Sequence, residues 1–130
     1  MIVVDASAMV EALVGRDVDP GLLEALEDDI HAPHLLDVEV LSVLRGLLLG
    51  GKLPANAAEN ARADHFAFTI ERHDTQPLAD RVWQLRHQYT CYDATYLALA
   101  EALDAPLLTC DAKLAGPGHS ADVRVHPTTS

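Results

Sequence analysis

Cysteine is scarce in this sequence, and so are aromatic residues, lysine and long hydrophobic runs. Two cysteines, Cys91 and Cys110, cannot form a disulfide framework. They show neither CxxC nor the Cys/His spacing of a structural zinc site, and the expectation is two reduced, buried thiols. The longest apolar run near the middle, Leu47-Leu48-Leu49, is far too short for a bilayer. The first residues carry neither a basic stretch nor the long apolar core of a signal peptide, so a cytoplasmic location is expected. There is no glycine-rich phosphate loop and no GxSxG elbow, and Asp5-Ala6-Ser7 lacks the second aspartate of a DxD phosphatase start.

Positive charge is also in short supply. Nine basic residues face 20 acidic ones, for a net charge of -11. This argues against non-specific nucleic-acid binding by a basic surface. It leaves open a nucleic-acid enzyme, because clustered acids become a phosphate site once a divalent cation sits among them.

What the chain does have is apolar content, 49% over 130 residues, enough for a single domain (1–130) with a real core. Ile2-Val3-Val4 is β-branched throughout and suits a strand buried on both faces. Helices are expected over about 6–14, 20–28, 34–49, 54–68, 77–89 and 91–104, opened by Pro20, Pro54 and Pro77 and stopped by Gly15 and Gly50-Gly51. Short strands are expected at 30–33, 69–71, 107–110 and 123–125, and 126–130 reads as a polar, frayed tail. Strands alternating with helices imply an α/β fold, a parallel sheet of four to five strands covered on both faces. Ligands bind such sheets beyond the carboxyl ends of the strands.

Two acids stand at such ends: Asp5 after the first strand and Asp111 after Leu107-Leu108-Thr109-Cys110. Asp93 shares a helical face with Tyr96, Leu97 and Ala100. Glu39 falls about 60° from Leu36, at the margin of the stripe of Leu36, Val40, Val43, Leu44 and Leu47. Each acid has a plainer role: Asp5 and Asp111 as helix caps, Asp93 as the partner of Thr90 in a capping box, Glu39 in a buried ion pair. Together they project toward one place, where four carboxylates without a cation would repel one another and raise each other's pKa. One or two hard divalent ions resolve that repulsion, and two ions about 3.5–4 Å apart can hold a phosphate and activate water. Ser7 and Thr109 lie beside Asp5 and Asp111, where their hydroxyls either orient a carboxylate or make local turn bonds. Of the seven histidines, His31 and His34 straddle Pro33 and read as surface or packing residues.

These residues match a family. The sequence resembles PIN-domain proteins, and most closely the short VapC-type toxins of bacterial toxin–antitoxin pairs. The resemblance rests on Ile2-Val3-Val4-Asp5-Ala6-Ser7-Ala8, on Glu39 within 37–45, on Tyr92-Asp93-Ala94-Thr95-Tyr96, and on Leu107-Leu108-Thr109-Cys110-Asp111. It covers nearly the whole chain, although 50–90 carries no motif. It implies a three-layer α/β/α PIN-like fold and an endoribonuclease dependent on Mg2+ or Mn2+. Asp5, Glu39, Asp93 and Asp111 would form the site, with Asp5, Asp93 and Asp111 as metal ligands. It also implies an RNA substrate, a homodimer and silencing by a small VapB-like antitoxin. Two readings compete: a PIN-like binding or regulatory module with a vestigial acid cluster, and a receiver-like phosphoacceptor domain. The second needs an aspartate at a central strand end beside a lysine. Lys113 is its only candidate lysine, and the strand at 30–32 runs into Pro33.

Overall fold

The computed structural model describes residues 1–129. Its centre is a five-stranded sheet of order β3-β2-β1-β4-β5, every pairing of which is parallel. The strands are β1 (Ile2–Val4), β2 (Ile30–Pro33), β3 (Ile70–His73), β4 (Leu107–Thr109) and β5 (Val123–Val125). Val3 and Val4 are fully buried and Ile2 nearly so, as expected of a central strand covered on both sides.

The helices are α1 (Ala6–Val14), α2 (Pro20–Ala25), α3 (Leu35–Leu49), α4 (Ala55–Ala67), α5 (Ala79–Gln84) and α6 (Cys91–Leu103). They fall into two groups: α1, α3 and α4 pack on one another, whereas α5 packs on α6, which lies against β1, β2 and β4. The result is three layers, helix, sheet and helix. The core runs through the middle, with Met9, Leu22, Leu36, Leu97, Leu107 and Leu114 essentially inaccessible. No helix among the described residues is long and apolar enough to cross a membrane.

Four sequence-based expectations need correction. The helix after Pro77 is shorter than its apolar spacing suggests: a 3-10 turn at Gln76–Leu78 leads into α5, which ends at Gln84. The N–H of Leu85 is shared between the carbonyls of Arg81 and Val82, which tightens the end. The thiols are not both buried; Cys91 is exposed and Cys110 half-buried. The tail is docked, not frayed, through residue 129: His126 donates its backbone N–H to the Thr109 carbonyl, and Thr129 bonds Glu11 by both N–H and hydroxyl at 3.0 and 2.6 Å. Ser130 lies outside the described residues. Finally, His31 is neither a surface residue nor a simple packing group. It is 4% exposed and sits 2.8 Å, nitrogen to nitrogen, from His73 on the neighbouring strand.

Candidate metal centre

Asp5 follows the last residue of β1, at the carboxyl edge of the sheet, and is 6% exposed. Its extended backbone lets it cap α1: Oδ1 accepts from the Ala8 N–H at 2.9 Å and from the Ser7 hydroxyl at 2.7 Å. Oδ2 accepts from the Thr109 hydroxyl at 2.5 Å. Capping and membership of the pocket are thus not alternatives, since one carboxylate does both. Burial pushes the Asp5 pKa up, the bonds from Thr109, Ala8 and Ser7 hold it back, and the charge of Asp93 adds to the rise.

Ser7 and Thr109 do more than orient Asp5. The Ser7 hydroxyl accepts from the Cys110 N–H at 2.9 Å, and Thr109 Oγ1 accepts from the Asp111 N–H at 2.9 Å. The two hydroxyls stand 3.2 Å apart. They lace the β1–α1 corner to the β4 corner, and so fix Asp5 relative to the segment that carries Asp111.

Asp93 lies in the first turn of α6, where its N–H is capped by Thr90 Oγ1 at 3.1 Å. Its carboxylate turns toward Lys113, whose Nζ is 3.4 Å from Asp93 Oδ2 and 3.4 Å from Asp111 Oδ2. The backbone N–H of Lys113 also caps onto Asp111 Oδ1 at 3.1 Å. The two carboxylates, chiefly that of Asp93, push the Lys113 pKa up.

Glu39 is half-buried on α3, at the edge of the apolar stripe where its helical angle puts it. The Tyr96 hydroxyl donates to its Oε1 at 2.6 Å. Burial raises the Glu39 pKa, the Tyr96 bond lowers it, and the charges of Asp93 and Asp5 raise it further. Tyr96 itself is 2% exposed and its hydroxyl is pushed well above the usual phenol range, first by burial and then by Glu39.

The fold therefore brings Asp5, Glu39 and Asp93 within electrostatic reach of one another, and Lys113 joins Asp93 to Asp111. Among the described residues, no three of these acids bring ligand oxygens within 4.8 Å of each other. An ammonium bridging two carboxylates, and the charges of Asp93 and Asp5 acting on Glu39, mark a place that draws in cations. The donors are all carboxylate oxygens, which fits a hard ion such as Mg2+ or Mn2+. A cleft of ≈ 320 Å3 extends from Asp93 and Lys113 past Tyr89 to Gln88 and Pro117.

Sequence reasoning did not assign Lys113 or Tyr96 to this site. Lys113 follows Asp111 by two residues, but a single basic residue carries no periodic signal. Tyr96 lies on the Asp93 face of α6, and its spacing marks it only as core. Asp37, inside the same segment as Glu39, has a structural role instead. Burial pushes its pKa up, but Arg72, at 2.7 and 3.0 Å, and His65, at 2.8 Å, outweigh that and hold it low.

Comparison with known proteins places these features among relatives. The PIN domain family model matches residues 2–118. Ribonuclease VapC1 of Mycobacterium tuberculosis is 44% identical over 130 residues, spanning 95% of this chain and 96% of that protein. Ribonuclease VapC9 of the same organism is 38% identical over 120 residues, spanning 92% and 93%. Among solved structures, M. tuberculosis VapC20, described as a sarcin-ricin loop cleaving toxin, superposes with a TM-score of 0.68 at 18% identity. The match covers 98% of this chain and 100% of that one.

Proposed function

The chain belongs to the PIN-domain family, and from that premise we propose that it is a divalent-metal-dependent endoribonuclease, the toxin of a toxin–antitoxin pair. The observation that carries this reading is the electrostatic coupling of the acids: Glu39 feels the charges of Asp93 and Asp5, Asp5 feels that of Asp93, and Lys113 links Asp93 to Asp111. Glu39 and Asp93 use their carboxylates for no helix cap, and so add negative charge to the pocket that local structure does not call for.

Asp5, Asp93 and Asp111 would hold the metal. When bound, it lowers the pKa of water and neutralises charge on the scissile phosphate. The chain's own groups have separate tasks. Asp5 is fixed by three bonds, so it needs no reorientation when a cation arrives. Glu39, with its proton affinity raised by burial and neighbouring acids, is suited to take a proton from the attacking water. The Tyr96 hydroxyl keeps that carboxylate pointed inward. Lys113 would leave Asp93 and Asp111 for the metal and turn its ammonium to phosphate oxygens.

Two partner readings accompany this function. Helix α3 leaves Val38, Leu41, Leu48 and Leu49 exposed on one side, an apolar face that supports a second copy of the chain. An apolar cleft of ≈ 700 Å3 between Val10, Val14, Val43 and Leu47 opens beside Ser7, and it supports docking of a small antitoxin whose basic side chain reaches the acids. The test of the function is inducible expression with RNA 5′-end mapping. Growth arrest and new 5′ ends are expected from the wild-type chain, and neither from Asp5→Asn. A folded Asp5→Asn variant that still cleaves RNA with normal metal dependence contradicts the assignment.

A further inference from the structure

A second group of metal-binding side chains lies apart from the acid pocket, on the β3 edge of the sheet. His31 on β2 and Glu71 and His73 on β3 each offer one ligand atom, and these atoms all lie within 4.8 Å of one another. Parallel register brings them together: His31 pairs with Glu71 and Pro33 with His73, so all three project from the same face. His31 Nδ1 is 2.8 Å from His73 Nε2 and 3.6 Å from Glu71 Oε2. The ring centroids are 5.1 Å apart.

The other face of the His31 ring is also specified. Its Nε2 lies 2.9 Å from Oδ2 of Asp29, two residues earlier on the same face. A carboxylate accepting from Nε2–H fixes the tautomer and leaves the Nδ1 lone pair facing His73 and Glu71. That is the support a metal-ligating imidazole ordinarily has. Burial locks the His31 ring, whereas the Glu71 and Asp29 side chains are 65% and 62% exposed, so an ion can enter from solvent.

We infer that His31, Glu71 and His73 form a site for a borderline divalent ion of the Zn2+ type, held by two imidazole nitrogens and one carboxylate oxygen, with water completing the shell. Imidazole favours Zn2+, Ni2+ and Cu2+, whereas Mg2+ prefers oxygen and keeps its waters. Tetrahedral Zn2+ sets its two nitrogens about 3.3 Å apart, so His73, which is only half-buried, rotates slightly outward from its present 2.8 Å contact. The ion replaces the proton shared by the two rings and ties the edge strand β3 to β2. The chain then carries two centres of opposite preference: oxygen-only at the carboxyl edge of β1 and β4, and nitrogen-rich between β2 and β3.

The test uses the full-length chain without an affinity tag. Zn2+ is titrated by calorimetry, and Co2+ is used to read coordination from its visible absorption. A Zn2+ site is expected that persists in Asp93→Asn, which alters only the acid pocket. His73→Ala and Glu71→Gln, both at accessible side chains, should weaken Zn2+ by at least about tenfold, and Asp29→Asn by about 10–100-fold. All should keep the circular dichroism of the wild type. Absence of Zn2+ binding overturns the inference, and so does binding unchanged in folded His73→Ala. Either result leaves the histidine pair as a hydrogen-bonded brace between strands.

Discussion

Tyr96 donates its hydroxyl to Glu39 at 2.6 Å, across 57 residues of sequence, and so links the helix that carries Asp93 to the helix that carries the fourth acid. That bond lowers the Glu39 pKa against the effects of burial and of Asp93 and Asp5. In Tyr96→Phe the Glu39 pKa should rise further, and the acid limb of the pH–rate profile should move to higher pH. A hydrogen bond to a charged group is also worth about 1.5–3 kcal/mol, so a stability loss toward the lower figure should appear in urea unfolding. A profile unchanged in Tyr96→Phe would remove Glu39 from the proton-accepting role.

Thr109→Val tests the lacing of the pocket. The substitution keeps the shape but removes the hydroxyl that donates to Asp5 and accepts from the Asp111 N–H. Divalent-ion affinity, measured by Mn2+ titration, should fall by about 10–100-fold, the usual effect of losing a group that orients a ligand. The buried β4 backbone should hold the fold together.

The pH dependence of stability in EDTA follows from the signs of the shifts. Asp5 and Glu39 have folded-state pKa values above their ordinary 3.8 and 4.5. Their neutral forms are favoured by folding, so the stability they lend at low pH is lost as pH rises from those ordinary values through the raised ones. Glu101 works the other way. Its pKa is pulled down to about 2, chiefly by bonds from Arg81 at 2.7 and 2.9 Å. Its contribution is full above about 4.5 and is lost as pH falls toward about 2. Asp5→Asn should therefore raise the melting temperature at pH 7 in EDTA relative to wild type, and the gain should shrink toward pH 4. Thermal melts across pH check both limbs.

Glu101→Gln should cost about 1–3 kcal/mol at neutral pH. It breaks a bidentate pair with Arg81 and weakens the bonds that Ser120 makes to the same carboxylate. The loss should vanish near pH 2, where wild-type Glu101 is itself protonating. Paired denaturant titrations at the two pH values measure it.

The four candidate acids were legible because they sit at positions that local pattern defines. Asp5 and Asp111 follow apolar strands, and Glu39 and Asp93 keep helical angles to core residues. The parallel sheet followed from short strands alternating with helices. What escaped was set by tertiary neighbours. Lys113 bridges two acids only because α6 and the segment after β4 converge. Local spacing offers His31 only His34, three apart across Pro33, and gives the two no pairing. The partner is His73, brought alongside by strand register that no local spacing encodes. Polarity marks 126–130 as frayed, yet Glu11 and Thr109 supply bonds to Thr129 and His126. Segment 50–90 carries no motif, and it supplies His65 and Arg72 to Asp37 and two of the three residues of the His31 cluster.

The most direct measurement is cleavage of a defined RNA by the purified chain in Mg2+ and in EDTA, wild type beside Asp93→Asn. The Asp93 carboxylate contacts Lys113 but caps nothing, so its loss spares the fold. Cleavage by the wild type in Mg2+, none in EDTA, and a fall of about 10²–10³-fold in Asp93→Asn is the expected result. Undiminished cleavage by a folded Asp93→Asn, or cleavage that persists in EDTA, contradicts a metal-dependent nuclease centred on these four acids.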